Sequence, residues 1–250
     1  HKLLAGKTLG MIFAKSSTRT RVSLEVGMYQ LGGHPLFLSS ADIQLGRGET
    51  IFDTANVLSR YLNGIMIRTF KQSNVEDLAR YGSIPVINGL TDEHHPCQAL
   101  ADLLTVYEQK GELKGKKLAY IGDGNNVAHS LAESCATAGM AFSAATPKGY
   151  ECNEGIIDWA KSQAKKTGGE IIVTNDPEKA AANAHVIYTD TWVSMGQEDE
   201  KQERAKTFMP YQVNEKLFSH TMPDAIFLHC LPAYRGFEMT KEIIDSPRSK

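Results

Sequence analysis

The sequence predicts an α/β protein of two domains, each a mostly parallel sheet with helices on both faces. Three observations carry that expectation. Short apolar runs alternate with segments of helical periodicity along the whole chain. Polar residues able to do chemistry recur just beyond the ends of those runs, where open parallel sheets place ligands. The composition turns to Gly, Lys and Glu at Gly111 to Lys116, dividing residues 1–110 from residues 111–250.

Composition narrows the function classes. The 250 residues are 42% hydrophobic and 22% charged, as in an ordinary globular chain with room for two domains. A formal net charge of -2 argues against a nucleic-acid partner, which needs a basic face. Cys97, Cys135, Cys152 and Cys230 form no CxxC pair, so neither a zinc ribbon nor a disulfide framework is indicated and a reducing compartment is expected. No apolar stretch is long enough to span a bilayer and no signal-peptide pattern opens the chain. A cytoplasmic protein is expected, or one of the mitochondrial matrix or chloroplast in a eukaryote.

In chain order, Leu9 to Phe13 reads as a buried strand and Val22 to Leu31, closed by Gly32 and Gly33, as a helix. Pro35 to Ser39 reads as a strand, and Asp42 to Glu49 as an exposed loop containing Gln44. Ile51, Ala55, Leu58 and Leu62 mark a helix leading into the strand Gly64 to Ile67, which ends at Arg68. After a helix over Val75 to Tyr81 and a strand over Pro85 to Ile87, a loop carries Asp92, His94 and His95 into Pro96. Proline favours the first helical position, so a helix should run from there with Cys97, Leu100, Ala101, Leu104 and Tyr107 as its apolar residues. His95 and Gln98 then share a face of the first turn. The adjacent His94 and His95 point in different directions and lack the i, i+4 partner of a helical zinc site, so no metal is expected.

The second half repeats the alternation. Leu118 to Ile121 reads as a strand, Gly122 to Asn126 as a tight turn, and Val127 to Ala138 as a helix stopped by Gly139. The turn resembles a dinucleotide fingerprint, but Val127 replaces its third glycine and the next strand, Ala141 to Ala145, leads to no ribose-binding acid. Further strands are Ile171 to Thr174, Val186 to Thr189 and Ile226 to His229, with helices over Glu154 to Lys166 and Pro177 to Asn183. Two loaded strings follow the last strands, Asp190 to Gly196 and His229 to Pro232. The charged stretch through Arg204 reads as either a solvated helix or part of a mobile segment with little apolar surface to anchor it.

The run Ser17, Thr18, Arg19, Thr20, Arg21 gathers the most phosphate-binding chemistry in the chain. It falls on a strand-to-helix turn, where free N–H groups and the helix dipole favour an anion, and its hydroxyls and guanidinium groups add charge-assisted donors. Taken alone, the run fits equally well an N-capping Ser17 beside solvated arginines. It lacks the glycines and Lys-Ser/Thr pair of a Walker loop, which points to a phosphate compound smaller than a nucleoside triphosphate.

Five strings in this order, STRTR from Ser17, HPCQALAD from His95, DGNN from Asp123, DTWVSMG from Asp190 and HCLP from His229, resemble the ornithine branch of the carbamoyltransferase superfamily. The resemblance covers almost the whole chain. It implies a carbamoyl phosphate domain over residues 1–110 and an ornithine domain over residues 111–250, with a site between them completed by the next subunit of a homotrimer. It implies transfer of a carbamoyl group to the δ-amine of L-ornithine, giving L-citrulline and phosphate, with no metal or organic cofactor. By resemblance, Ser17, Thr18, Arg19, Thr20 and Arg68 hold the phosphate. Arg68, His95 and Thr20 contact the carbamoyl oxygen, and Gln98 the carbamoyl nitrogen. Asn126, Asp190, Ser194 and Met195 hold ornithine. Cys230 and Leu231 lie beside the reacting amine, Leu231 at the carbamoyl phosphate side, and Gln44 serves the neighbouring subunit's site. The resemblance also implies one more helix before His1 and one after Lys250. Three alternatives stay open: another amine acceptor such as putrescine or N-acetylornithine, a catalytically silent binding subunit, and a nucleotide-dependent oxidoreductase.

Overall fold

The computed structural model describes residues 2–193 and 201–250. Its contacts divide the chain into two compact units, residues 1–97 and 98–250. The first unit contains β1 (Thr8–Phe13), α1 (Thr18–Gln30), β2 (His34–Ser39), a 3-10 turn (Gln44–Arg47), α2 (Ile51–Leu58), β3 (Gly64–Arg68), α3 (Gln72–Tyr81) and β4 (Val86–Leu90). Its sheet has the order β2-β1-β3-β4 and every pair is parallel.

Alternate residues of these strands feed different cores. Ile12, Ile65 and Ile67 join Ala55, Leu62, Val75 and Leu78 on one face, while Met11, Phe13 and Met66 join Leu9 and Met28 on the other. Period-two alternation with apolar residues at both phases buries a parallel sheet on both sides. Helix α1 begins at Thr18, a turn earlier than its apolar residues indicate. The Ser17 side chain accepts from the Thr20 N–H at 3.2 Å, and this cap carries the polar run into the first helical turn.

Helix α4 (Pro96–Lys110) spans the division between the units. The second unit continues with β5 (Lys117–Ile121), α5 (Asn126–Ala138), β6 (Ala141–Ala145), α6 (Glu154–Thr167), β7 (Glu170–Thr174), α7 (Pro177–Ala181), β8 (Val186–Thr189), α8 (Lys201–Phe208), α9 (Glu215–Phe218), β9 (Ile226–His229) and α10 (Lys241–Ile244). The sheet order is β7-β6-β5-β8-β9, again all parallel. Leu118, Tyr120, Val186 and Tyr188 point into one core, and Ala119, Ile121 and Ile187 into the other.

Helix α4 buries Ala99, Asp102, Leu103 and Val106, and not the stripe read from the sequence. Leu100, Leu104 and Tyr107 are more than half exposed. Both stripes obey helical spacing, so periodicity alone does not choose between them; the side that packs into the second unit's core is the one carrying Ala99, Leu103 and Val106. That packing also explains why the division falls at Gln98 and not at the polar stretch near residue 111. No described helix is long and apolar enough to cross a membrane.

In each sheet the connection direction reverses once, between β1 and β3 and between β5 and β8, and the crevice at such a reversal is where α/β sheets bind ligands. At the second reversal the glycine-containing turn is shaped by the chain itself. The Gly124 N–H donates to the Tyr150 carbonyl at 2.9 Å, and a Cβ on Gly124 would lie 2.3 Å from the Cys152 nitrogen and 2.4 Å from the Glu151 carbonyl carbon. Backbone cannot retreat as a side-chain tip can. Gly124→Ala is therefore expected to cost about 1–3 kcal/mol and lower the melting temperature by several degrees. An unchanged thermal unfolding curve would contradict this packing.

Candidate active site

The first unit's reversal collects positive charge. Just past β1, the capped start of α1 presents Thr18, Arg19 and Thr20 on a first helical turn, where the helix dipole favours an anion. Arg68 closes β3, which lies beside β1. The β3–β4 register slips between Ile67 and Arg68, a bulge of the kind that re-aims a side chain. Arg68 is only 6% exposed, and its Nε has no hydrogen-bond partner. Burial lowers its pKa, and the like charge of Arg19 lowers it further. Two guanidinium groups held near each other, one of them desolvated, form a site that an anion would relax. Arg21 is engaged elsewhere, stacking on the Phe37 ring at 3.6 Å and donating to Glu25 at 2.9 Å. His95 is half-buried just before α4, and Gln44 is exposed in its 3-10 turn.

The second unit's reversal collects negative charge. Asp190 follows β8 and is 7% exposed. Its Oδ1 accepts from the Thr191 N–H at 2.7 Å and from the Cys230 thiol at 3.0 Å, and its Oδ2 accepts from the Asn125 amide at 2.8 Å. Asn125 is fixed in turn, because its Oδ1 caps α5 by accepting from the Val127 and Ala128 N–H groups at 3.0 and 3.2 Å. Among the described residues no cation pairs with Asp190, so a buried carboxylate with all these donors still lacks a counter-charge.

Burial and the neighbouring Asp190 push the Cys230 thiol well above its ordinary range, so at neutral pH it is a neutral S–H donor and not a thiolate base. The His229 Nδ1 accepts from the Leu231 N–H at 2.9 Å, which leaves the proton on Nε2, 3.2 Å from the buried Glu238 carboxylate. Glu238 also accepts from the Tyr234 N–H at 2.7 Å. Ligand atoms of Asp190, His229 and Cys230 lie within 4.8 Å of one another, a spacing that could hold a metal. Both His229 nitrogens and the thiol proton are already committed to protein partners, so this donor set does not fit an ion.

Asp190, Cys230 and Leu231 thus gather at the strand ends where the sequence placed them, next to Asn126 in the first turn of α5. Ser194 and Met195 lie outside the described residues. The expectation of an unanchored charged segment does not hold at its far end. Arg204 in α8 is 3% exposed, pairs with Asp123, donates through Nε to the Trp192 carbonyl and lies over the Tyr150 and Phe208 rings. The sequence marks Asn125 with Asn126 as amides able to hold an amino-acid zwitterion, and the structure turns the Asn125 amide onto Asp190 and the start of α5. Sequence reasoning passed over Asp102 and Glu238. Asp102 falls on the Ala99–Leu103–Val106 stripe, an acid among buried apolar positions, and no pattern marks Glu238.

Residues 1–108 match the family model described as the aspartate/ornithine carbamoyltransferase carbamoyl-P binding domain, and residues 114–250 match that of its Asp/Orn binding domain. The chain belongs to the aspartate/ornithine carbamoyltransferase family. Similar members include the ornithine carbamoyltransferase of Anoxybacillus flavithermus, 62% identical over 246 residues that make up 98% of this chain and 78% of that protein. The protein of Pyrococcus furiosus named ornithine carbamoyltransferase, anabolic, is 57% identical over 100% of this chain and 79% of its own length. A solved structure of ornithine carbamoyltransferase from that organism superposes with a TM-score of 0.96, covering 100% of this chain and 80% of that one at 57% identity. The structure from Gloeobacter violaceus gives 0.88 at 48% identity, over 98% of this chain and 80% of that chain.

Within this carbamoyltransferase fold, Asp102 links α4 to the acidic site. Its Oδ1 accepts from the Gln98 amide at 2.9 Å, while Oδ2 has no hydrogen bond of good geometry although the Tyr188 hydroxyl lies alongside. Burial raises its pKa from 3.8 to about 7 against the opposing pull of Gln98 and Tyr188, and Asp190 adds to the rise. The folded protein therefore keeps this proton where the unfolded chain releases it. The contribution to stability is full below the unfolded pKa and is lost as pH rises to the folded value. Relative to Asp102→Asn, the unmodified protein should lose roughly 1–4 kcal/mol between mildly acidic and mildly basic pH. Parallel pH dependences in urea unfolding of the two proteins would refute it.

Proposed function

We propose that the protein transfers the carbamoyl group of carbamoyl phosphate to the δ-amine of L-ornithine, giving L-citrulline and phosphate. The observation that carries the reading is the opposite character of the two strand-end sites. One holds the buried Arg68 beside Arg19, the other a buried Asp190 with no counter-cation among the described residues, and relatives named ornithine carbamoyltransferase match nearly the whole chain. A dianionic donor suits the first site and an amino acid with two amines the second.

The chemistry assigns a role to each group. Ser17, Thr18, Arg19, Thr20 and the α1 N-terminus hold the phosphate, with Arg68 shared between phosphate and carbonyl. The neutral δ-nitrogen attacks the carbamoyl carbon and the bond from that carbon to the phosphate oxygen breaks. Negative charge grows on the carbonyl oxygen, where Arg68, His95 and Thr20 act as preorganised donors. Gln98 accepts from the carbamoyl NH2. The phosphate leaves with the bonding electrons and takes up the one proton that the attacking nitrogen loses.

Asn126 and Asp190, with Ser194 and Met195, hold the amino-acid head; the Asp190 carboxylate meets the α-ammonium and Cys230 stays a neutral donor on its other side. Leu231 sits with Cys230 at the reacting end. A free alkyl ammonium has a pKa of about 10.4, so the site must favour the neutral amine. The working form is a homotrimer in which Gln44, on an exposed turn, serves the neighbouring subunit's site. The anabolic name of the Pyrococcus furiosus relative supports a place in arginine biosynthesis.

Three outcomes test the reading. Colorimetric citrulline assay with carbamoyl phosphate and a panel of amines should give a kcat/KM for ornithine about 10⁴-fold above putrescine or N-acetylornithine, each of which leaves a desolvated partner unpaired. Equal turnover of putrescine would move the function to another amine, and no citrulline at all would leave a silent binding protein. Arg19→Ala should weaken carbamoyl phosphate binding by calorimetry about 10- to 100-fold, the loss of one charge-assisted contact. Mixing inactive Arg19 and Gln44 variants under subunit exchange should restore part of the activity, whereas a monomer by light scattering would remove the shared site.

A further inference from the structure

Gln98 has an amide with two chemically different ends, and only its surroundings decide which end faces a ligand. The neighbour that decides is Asp102, one turn further along α4 and buried, whose Oδ1 lies 2.9 Å from the Gln98 Nε2. In its ionised form, favoured above about pH 7, the carboxylate has no proton to donate, so it selects the NH2 end of Gln98 and leaves the carbonyl Oε1 to another donor. The other Asp102 oxygen is buried without a hydrogen bond, so the group is poorly explained as a stabilising contact. A leucine or alanine would continue the apolar stripe of Ala99, Leu103 and Val106 at less cost.

We propose that Asp102 is a positioning residue for the donor substrate: by locking the Gln98 amide, it presents an acceptor to the carbamoyl NH2 and so selects carbamoyl phosphate over acyl phosphates that carry a methyl group there. The inference rests on the proposed role of Gln98 toward carbamoyl phosphate. A methyl in place of NH2 leaves the Gln98 Oε1 unpaired, and the penalty holds only while the amide is unable to turn over. The groups around Asp102 bear on its charge. Asp190 and the apolar core favour its neutral form, while Gln98, Tyr188 and His229 favour the anion. The Cys135 and Cys230 thiols are themselves held protonated, in part by Asp102. A protonated Asp102 could donate to Oε1 and turn the Gln98 amide round, so selectivity for carbamoyl phosphate should weaken as pH falls.

The experiment compares the KM for carbamoyl phosphate with the inhibition constant of acetyl phosphate in the unmodified protein, Asp102→Asn, Gln98→Ala and the double variant. An asparagine at 102 satisfies either orientation of the Gln98 amide. Asp102→Asn should therefore raise the KM for carbamoyl phosphate about tenfold and shrink the selectivity ratio about as much, with the KM for ornithine unmoved. In the Gln98→Ala background the same change should add nothing. If Asp102→Asn does not fold, the ratio in the unmodified protein between about pH 6 and about pH 8.5 replaces it, and should be smaller at the acidic end. A ratio independent of Asp102 and of pH, or an Asp102→Asn effect that persists without Gln98, overturns the proposal. An unmodified protein that makes no citrulline sinks the functional reading instead, so the two failures are distinct.

Discussion

The site in the second unit depends on one constraint, a carboxylate taken out of water without a counter-ion from the described chain. Asp190 is tolerable there because Asn125, Thr191 and Cys230 each direct a donor at it, from the end of β5, the end of β8 and the end of β9. Two of the donors are anchored by something else: Asn125 by capping α5, and the segment of Cys230 and Leu231 by the His229–Glu238 pair. Deleting any one would free a lone pair of a buried anion as well as lose a bond, which is why such networks are worth more than their pairwise sum. The residual demand for positive charge is what the proposed role of Asp190 toward a substrate ammonium would answer.

The first unit poses the mirror problem. Arg68 and Arg19 repel each other at a strand end where Arg68 is desolvated, and the fold holds them there through β3 and the capped start of α1. In both units the tension lies at a reversal in strand order. Charges fixed before the reactants arrive need no reorganisation during the reaction.

Much of this was legible because parallel strands buried on both faces read as apolar runs, and because residues just past those runs have only one place to go. Ser17 through Thr20, Arg68, Asp190 and Cys230 were all legible on that ground. In the bare sequence, the capping of Ser17 and the phosphate reading of its run look like rival accounts, yet a cap is what holds the run in a first helical turn. The face of α4 was not legible, since Leu100, Leu104 and Tyr107 keep helical spacing as well as Ala99, Leu103 and Val106 do. Nor were the partners of the functional groups. Glu238 meets His229 only through the path of the chain after β9, and Arg204 meets Asp123 across 81 residues of sequence. Local patterns carry no information at that range.

The turn after β5 has a wider meaning. In a nucleotide-binding sheet this corner is left open, and its glycines let a pyrophosphate approach bare backbone. Here the Gly124 N–H is spent on the Tyr150 carbonyl, and the space above the glycine is filled by the backbone of Glu151 and Cys152. The chain thus acts as its own permanent ligand at a corner built like a cofactor pocket. A corner filled in this way has no bare backbone for a pyrophosphate to approach, which fits the proposed smaller, zwitterionic occupant of the strand ends.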